Sequence, residues 1–323
     1  MSFHELVNKT LKLQAAGQKL ISLNLGKTNL DAPACAIKAV SQCIQQQRVS
    51  YGPPAGFPAF LEAVAKREDC AVDQIVVGPG SKYLLFALMS TILKKGDKVL
   101  IPSPLYPVYN MICEQLGLEL VLHHTTLEDS WHFGDLSLDG IKLLLICNPL
   151  NPTSTIYPET SVLSVIAEAK SKGIPVVLDE AYKSLAFTPL PNYQDAMHIR
   201  SFSKEFNLEG WRLGYLVAPE DIAKRVTVFN QKVITCVPEF VQLAGQACLE
   251  NEDRILKVNL ACWKERLAFA QQAFSKLGFR FAEPQAGMYL FASHPEIKDV
   301  LGFTMRLLDQ GVAISPGEFF GGA

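Results

Sequence analysis

The segment SFSKEFNLEGWRLGY, residues 201–215, places a lysine among small and hydroxyl-bearing side chains, with an arginine eight positions later. A free lysine has a reference pKa of about 10.4 and is protonated at neutral pH. At a strand end, beside hydroxyls and other cationic groups, a lysine can lose this proton and form a Schiff base with an aldehyde. Lys204 is therefore a candidate covalent nucleophile, although a single lysine is more often an ordinary surface residue.

A second candidate is the carboxylate of Asp179, which ends the apolar run in PVVLDE. A carboxylate at the end of a buried strand is costly unless a cation faces it, and such a cation would lower its pKa by ~1–3 units. Glu180 follows directly and is an alternative functional acid, in which case Asp179 would cap a helix. The residues alone leave both assignments open.

The turn GPGSK, residues 78–82, is a candidate anion site. It opens a predicted helix directly after a predicted strand, so its backbone N–H groups and the helix dipole favour an anion. Arg212 and the hydroxyls of Ser201 and Ser203 could complete a phosphate site. A plain strand-to-helix connection and an ordinary ion pair of Arg212 are the alternatives.

Short apolar runs alternate with helical patterns through the middle of the chain, and these elements must position the candidates. Their lack of strict alternation is typical of strands buried on both faces, which predicts an α/β fold with a mostly parallel seven-stranded sheet covered by helices. Ligands of such sheets bind at the carboxyl ends of the strands, where these candidates fall. Strands are predicted at 74–78, 98–103, 118–123, 142–149, 174–182, 198–203 and 212–218, with helices at about 81–95, 107–116 and 158–172.

The pattern from about 238 to 278 is nearly all helical, and it is followed by two short predicted strands, a helix at about 298–310 and the run GVAIS. We predict a large domain over 31–250 and a smaller α+β domain formed by 1–30 and 251–323.

Charge, hydropathy and cysteine spacing argue against several classes of protein. The 323 residues carry a net charge of −2, from 30 basic and 32 acidic side chains, without the basic stripe that a nucleic-acid partner requires. No apolar run reaches membrane-spanning length, and the N-terminal segment lacks the hydrophobic centre of a signal peptide. The eight cysteines form no C-x-x-C pair, so we expect reduced thiols, a cytoplasmic location and no metal site.

Together, the ordered motifs resemble one family: the fold-type I pyridoxal 5′-phosphate (PLP) enzymes, in particular the class I and II aminotransferases. The segment 201–215 fits the family signature S-x-x-K-x-x-x-x-x-G-x-R-x-G, and NPLNPT and LDEAY precede it in the family order. SYGPPAG and PSPLYPVY are weaker matches in the expected places. The resemblance extends from about residue 23 to the last residue.

The resemblance implies a role for each matching residue. Lys204 would form the internal aldimine and move the proton between the substrate Cα and the cofactor C4′. Asp179 would pair with the protonated pyridine nitrogen. The other implied cofactor contacts are Asn151 and Tyr182 at the phenolic oxygen, Tyr106 on the ring face, Gly80, Ser81, Lys82 (through its backbone N–H), Ser201 and Arg212 around the phosphate, and Tyr51, which would reach the phosphate of the neighbouring subunit in a homodimer.

The implied reaction is transfer of an amino group from an α-amino acid to a 2-oxo acid in two ping-pong half-reactions. A PLP-dependent lyase or decarboxylase would use the same lysine and aspartate, because substrate contacts decide which Cα bond breaks. A non-catalytic PLP-fold binding protein is the third alternative.

The sequence departs from the family pattern at three places. Family members continue past PGxxFG to an arginine that binds the substrate α-carboxylate, whereas this chain ends at SPGEFFGGA, so we expect a C-terminal truncation. Ser154 stands where the family has glycine, which we expect to alter only a turn. The segment LGKTNLDAP, 25–33, is atypical near the substrate mouth, where Gly26 and Lys27 are candidate substrate contacts.

Overall fold

The computed structural model describes residues 3–47 and 50–321. In chain order the elements are α1 (Phe3–Ala15), β1 (Ile21–Ser22), α2 (Ala34–Gln45), α3 (Pro58–Glu68), β2 (Ile75–Gly78), α4 (Ser81–Ile92), β3 (Lys98–Ser103), α5 (Val108–Leu116), β4 (Glu119–His124), β5 (Ile141–Cys147), α6 (Glu159–Ser171), β6 (Val176–Asp179), β7 (Met197–Ser201), α7 (Phe202–Glu205), β8 (Gly214–Val217), α8 (Glu220–Val233), α9 (Glu239–Leu249), α10 (Glu252–Lys276), β9 (Arg280–Phe281), β10 (Ala292–Ser293), α11 (Val300–Asp309) and β11 (Val312–Ala313).

Seven strands form the central sheet in the order β2-β8-β7-β6-β5-β3-β4. The pairs from β7 to β4 are parallel, and β8 is antiparallel to both of its neighbours. The predicted mostly parallel seven-stranded sheet is therefore confirmed. Because β8 runs in the opposite direction, it begins at the edge where the other strands end.

Helices cover both faces of this sheet, and alternate residues of one strand enter different cores. Val76 of β2 packs in the core that contains α4, α5, α6 and α8, whereas Ile75 and Val77 pack in the core that contains α2, α3 and α9. The expectation of strands buried on both faces holds for β5 and β6 but is wrong for β4. As an edge strand, β4 has a neighbour on only one side and is half-buried.

The predicted strands 174–182, 198–203 and 212–218 are longer than the observed β6, β7 and β8. At β7 and β8 the reason is that side chains and backbone at the strand ends have other tasks. β7 ends at Ser201 rather than at 203, since the Ser201 hydroxyl accepts a hydrogen bond from the Ser203 N–H at 3.2 Å and caps α7. β8 starts at Gly214 rather than at 212, since Arg212 adopts the left-handed conformation with φ 58°.

Outside the central sheet, β1 pairs in parallel with β11, and β9 pairs antiparallel with β10. The β1–β11 pair joins the N-terminal arm to the C-terminal part of the chain. The domain limits 31–250 and 1–30 with 251–323 stay a prediction.

Gly214 brings three backbone segments together, since it pairs with Gly78 on one side and with Ser201 on the other. A Cβ at this position would lie 2.6 Å from the Arg200 carbonyl oxygen and 3.2 Å from the Gly80 backbone. We expect Gly214→Ala to lower the free energy of unfolding by about 1–3 kcal/mol, because neither backbone can move alone. Denaturant titration measures the change.

Gly134→Ala is the matched control, because no atom lies within 4 Å of a Cβ added there. Equal stability of the two variants would contradict the close approach at Gly214.

Candidate active site

The carboxyl ends of β5, β6 and β7 lie side by side. Cys147 is opposite Asp179, and Asp179 is opposite Ile199, in the parallel ladder. Lys204 lies in α7, which begins directly after β7. The two principal candidates, Asp179 and Lys204, thus follow adjacent strands at one edge of the sheet, as ligand sites in α/β folds do.

Asp179 is buried, and its carboxylate is held by neutral donors. One oxygen accepts a hydrogen bond from the Tyr109 hydroxyl at 2.8 Å, and the other accepts one from the Ala181 N–H at 3.1 Å. Burial raises the pKa of Asp179, and these two hydrogen bonds only partly offset that shift. Within residues 3–47 and 50–321 no cationic side chain forms an ion pair with it, so the carboxylate is buried without a compensating charge.

Glu180, the alternative acid, is fully occupied elsewhere. It forms ion pairs with Lys183 at 2.9 Å, with His198 at 3.0 Å and with Arg200 at 3.6 Å. Burial by itself would raise the pKa of Glu180, but His198, Lys183 and Arg200 outweigh it and lower the pKa to about 2. This pairing favours Asp179 as the carboxylate available to a ligand.

A partly buried charge network, which we define as Arg67, Glu180, Arg200, Glu205 and Glu252, includes the sequence neighbours of the two candidates. Arg200 is within 3.6 Å of both Glu180 and Glu205, which are the sequence neighbours of Asp179 and Lys204. Arg67 binds Glu205 at 3.0 Å and also contacts Glu252. The network therefore links the chain segments that carry the two candidates.

The Lys204 amine lies against the N-terminal segment of the chain, where it donates a hydrogen bond to the Gly26 carbonyl oxygen. Burial lowers the pKa of Lys204; the charge of Glu209 opposes this shift, and that of Arg212 adds to it. A lowered pKa raises the fraction of neutral, nucleophilic amine.

Glu209 holds the Gly26 segment in this place, a function that the sequence analysis missed. Its carboxylate accepts hydrogen bonds from the Thr28 N–H at 2.8 Å and from the Thr28 hydroxyl at 3.1 Å. The sequence separation of 181 residues explains the omission, because no local pattern connects the two positions.

The predicted anion turn has the expected form. Gly80 caps α4 with φ +88°, and Ser81 begins the helix. Arg212 lies against this turn, because its guanidinium donates hydrogen bonds to the Pro79 carbonyl at 3.0 Å and to the Glu209 carbonyl at 2.9 Å. Arg212 and Gly80 are therefore together, and Arg212 remains exposed to an incoming ligand.

The other residues implied to contact the phosphate differ in their exposure. Ser201 is buried and its hydroxyl caps α7, whereas the Lys82 side chain is exposed, which agrees with a contact through its backbone alone. Lys27 is likewise exposed, while its neighbour Gly26 contacts Lys204.

Aromatic residues surround the Asp179 carboxylate. Tyr106 and Tyr109 pack edge to face, with ring centroids 5.7 Å apart. Burial raises the pKa of Tyr106; the charge of Asp179 adds to this shift and that of Arg212 opposes it. Asn151 is buried nearby in the loop after β5.

Tyr182 is buried, and its hydroxyl lies 2.5 Å from the hydroxyl of Tyr289. No sequence pattern indicated Tyr289, because the segment that carries it is predicted only to form short strands. The structure shows that Tyr289 is outside β10 and reaches the site from a loop.

Tyr51 is 85% exposed, whereas Asn151, Asp179 and Tyr182 are buried. Beside Tyr51, the Gly52 N–H donates a hydrogen bond to the Cys236 thiol at 3.3 Å. Cys236 lines a mainly apolar groove of about 640 Å³ that also includes Val40, Pro79, Trp211, Arg212, Ile234 and Phe240.

Comparison with known proteins agrees with this geometry. The family described as aminotransferase class I and II matches residues 18–322. The chain belongs to this family. It is a PLP-dependent aminotransferase with the type I fold.

Relatives and solved structures cover nearly all of this aminotransferase. The aspartate aminotransferase of Thermococcus kodakarensis is 30% identical over 305 residues, covering 93% of this chain and 81% of that protein. A probable N-acetyl-LL-diaminopimelate aminotransferase of Bacillus subtilis is 29% identical, covering 97% and 85%. The solved aspartate aminotransferase of Thermotoga maritima has a TM-score of 0.91 at 27% identity, covering 99% and 90%.

These relatives are named aminotransferases and give no support to the lyase, decarboxylase or non-catalytic alternatives. Of the helices described for this aminotransferase, none has the length and apolarity needed to span a bilayer. No group of three or more potential metal ligands was found in the described part of the chain.

Glu180 should stabilise this aminotransferase in a pH-dependent way. Its folded pKa of about 2 lies below the unfolded value of about 4.3, so its stabilising contribution is complete above the unfolded pKa and is lost as the pH falls toward 2. We expect Glu180→Gln to lower the free energy of unfolding by roughly 3 kcal/mol at pH 7, with a smaller difference from wild type at pH 3. Urea titrations at both pH values measure this.

The control is Glu119→Gln, which removes an exposed ion pair with Lys98 and should cost less than about 1 kcal/mol. A Glu180→Gln deficit that is the same at pH 7 and pH 3 would be inconsistent with ionic stabilisation.

Proposed function

We propose that Lys204 is the lysine that binds PLP covalently and that Asp179 is the acid that pairs with the pyridine nitrogen. The observation that carries this assignment is the buried Asp179 carboxylate, which has neutral donors and no ion pair among the described residues, at the strand next to the one that leads to Lys204. A carboxylate buried in this way is stabilised by a ligand that brings a cation.

The remaining residues fit the other parts of PLP. The amide of Asn151 is buried and forms no side-chain hydrogen bond with the residues described, so it is free to donate to a phenolic oxygen. The turn at Gly80, the N-terminus of α4 and the exposed Arg212 guanidinium suit a phosphate. Ser81, Ser201 and the Lys82 N–H would complete that contact, with Tyr106 against the ring.

Bound PLP supplies an aldehyde that takes up the amino group and a ring that accepts the electron pair left when the Cα proton departs. Lys204 would attach to the cofactor through Nζ, and after a substrate amine displaces it, its freed amine would carry the proton from the substrate Cα to the cofactor C4′, and back in the second half-reaction. The lowered pKa of Lys204 favours the neutral amine that this step requires. Asp179 would keep the pyridine nitrogen protonated, and Tyr182 would donate to the phenolic oxygen.

The substrates are an α-amino acid and a 2-oxo acid, used in alternate half-reactions. Gly26 and Lys27 are proposed substrate contacts, because Gly26 lies directly over the Lys204 amine and Lys27 is exposed beside it. Titration of the PLP-loaded protein with amino acids one at a time tests the activity. Loss of the visible cofactor band with one of them, and its return with a 2-oxo acid, would establish transamination and name the substrate.

We also propose the division into a domain of 31–250 and a second of 1–30 with 251–323, supported by the β1–β11 pair. A cytoplasmic location is proposed because all eight cysteines are free thiols, as is usual in a reducing compartment.

A two-fold homodimer is proposed from the surface beside the anion turn. The groove lined by Val40, Trp211 and Phe240 is apolar, and it continues into exposed apolar side chains on α2, of which Ile37 is 48% and Ile44 56% exposed. Apolar surface of this kind is typical of an interface. Tyr51 is exposed beside this groove, because its neighbour Gly52 contacts Cys236 of the groove, and we propose that Tyr51 contacts the Arg212 end of the groove in a second copy.

Lys204→Ala should abolish covalent attachment of PLP without loss of the fold. Borohydride reduction of the PLP-loaded protein, followed by mass spectrometry, should find the cofactor on Lys204 in the wild type and nowhere in the variant. Lys232→Ala, which changes an exposed lysine of α8, is the control and should label like the wild type. Label retained by Lys204→Ala would refute the assignment, and circular dichroism would verify the fold.

Mixing two defective variants tests the shared site. Tyr51→Phe should weaken PLP binding, because it removes the hydroxyl proposed to contact the partner's phosphate, and Lys204→Ala should be inactive. In a mixed dimer one site combines the intact Lys204 of one chain with the intact Tyr51 of the other, so activity at limiting PLP should recover toward roughly a quarter of the wild-type level.

No recovery in a mixture that forms hybrid dimers would show that Tyr51 acts within its own chain. A monomer in analytical ultracentrifugation would contradict the dimer itself.

A further inference from the structure

Tyr289 contacts two residues of the candidate site, but the proposed function gives it no role. Its hydroxyl is 2.5 Å from the hydroxyl of Tyr182, and the two rings are edge to face with centroids 5.5 Å apart. The hydroxyl also lies against the Gly26 backbone, since a Cβ on Gly26 would be 1.9 Å from it. Tyr289 therefore lies between Tyr182 and the segment that contacts Lys204.

The backbone of Tyr289 is anchored by a residue at which this chain departs from the family pattern. The Tyr289 N–H donates a hydrogen bond to the Ser154 hydroxyl at 3.1 Å, a contact that glycine cannot make. Ser154 adopts φ 60°, and its carbonyl accepts hydrogen bonds from the N–H groups of Gln285 and Ala286 at 2.8 and 3.1 Å. The expectation that Ser154 alters only a turn is therefore wrong, because its hydroxyl also holds Tyr289.

The loop that carries Tyr289 is tied to Tyr182 as well. The Gly287 N–H donates to the Leu185 carbonyl at 3.0 Å, and the Leu185 N–H donates to the Tyr182 carbonyl at 2.9 Å. Backbone contacts thus hold together the two chain segments that carry Tyr182 and Tyr289.

In a hydrogen bond between two phenols, one hydroxyl donates and the other accepts. Burial raises the pKa of both groups, so each keeps its proton at neutral pH. If the Tyr182 hydroxyl donates its hydrogen bond to the phenolic oxygen of PLP, the Tyr182 oxygen accepts the hydrogen bond of Tyr289. Hydrogen bonds in such a chain polarise one another, so donation by Tyr289 strengthens donation by Tyr182.

We propose that Tyr289 is a positioning residue that directs the Tyr182 hydroxyl toward the cofactor and strengthens its hydrogen bond. This inference rests on the proposed function, in which Tyr182 contacts PLP. Through this hydrogen bond, Tyr289 would influence how tightly the Lys204 nitrogen holds its proton. A stronger hydrogen bond stabilises negative charge on the phenolic oxygen, which weakens the attraction of that oxygen for the nearby proton.

The test is the pH midpoint of the visible absorption change in the PLP-loaded protein. Tyr289→Phe keeps the ring and removes only the hydroxyl, so the midpoint should rise by about 0.5–1 pH unit. Tyr182→Phe should raise it further. In the Tyr182→Phe background, Tyr289→Phe should cause no additional rise, because its effect passes through the Tyr182 hydroxyl.

An unchanged midpoint in Tyr289→Phe, or an equal shift in both backgrounds, would overturn the proposal. Ser154→Ala provides a second variant, because it leaves the Tyr289 hydroxyl intact but removes the anchor of its backbone. It should shift the midpoint in the same direction by a smaller amount, and no shift would show that Ser154 does not hold Tyr289 in place.

Borohydride labelling distinguishes failure of the proposed function from failure of the positioning role. A wild-type protein that carries no label on Lys204 would refute the proposed function and the role of Tyr289 with it. If the protein is labelled but Tyr289→Phe does not change the pH midpoint of the absorption change, the positioning role alone would be refuted.

Discussion

The burial of two adjacent carboxylates at the end of β6 is the constraint on which the site depends. Glu180 is compensated within the chain by Lys183, His198 and Arg200, and its charge stabilises the fold. Asp179 has no such partner among the described residues and is held only by neutral donors. The fold thus compensates one charge internally and leaves the other with neutral donors alone, a division that suits the proposed contact with the pyridine nitrogen of PLP.

The same charge network joins the elements that must stay in register. Arg200 lies between Glu180 and Glu205, so the segments next to Asp179 and Lys204 share one buried cation. On the opposite side, Glu209 binds Thr28 and holds the Gly26 segment over the lysine. Lys204 is consequently enclosed between elements that are more than 170 residues apart in the chain.

Tyrosine hydroxyl groups supply neutral hydrogen bonds in the candidate site. Tyr109 donates to Asp179, and Tyr182 and Tyr289 are joined through their hydroxyls. Neutral donors can orient a buried charge without adding one, and the direction of each proton depends on the next group in the chain of hydrogen bonds. The serine at position 154 takes part through the backbone of Tyr289, so a single departure from the family pattern extends to the residues proposed to contact the cofactor.

The sequence by itself determined the fold class, the seven strands of the main sheet and the residues at their carboxyl ends. Runs of apolar residues and the order of local motifs are short-range properties, and Asp179, Lys204 and the Gly80 turn lie within them. The strand limits at Ser201 and Arg212 were misjudged because a helix cap and a left-handed residue interrupt the apolar pattern. Tertiary structure alone decided the partners of each charge, the contact of Gly26 with Lys204, and the pairing of Tyr182 with Tyr289. These contacts join residues from distant parts of the chain, and their distances depend on how the backbone folds rather than on any local pattern.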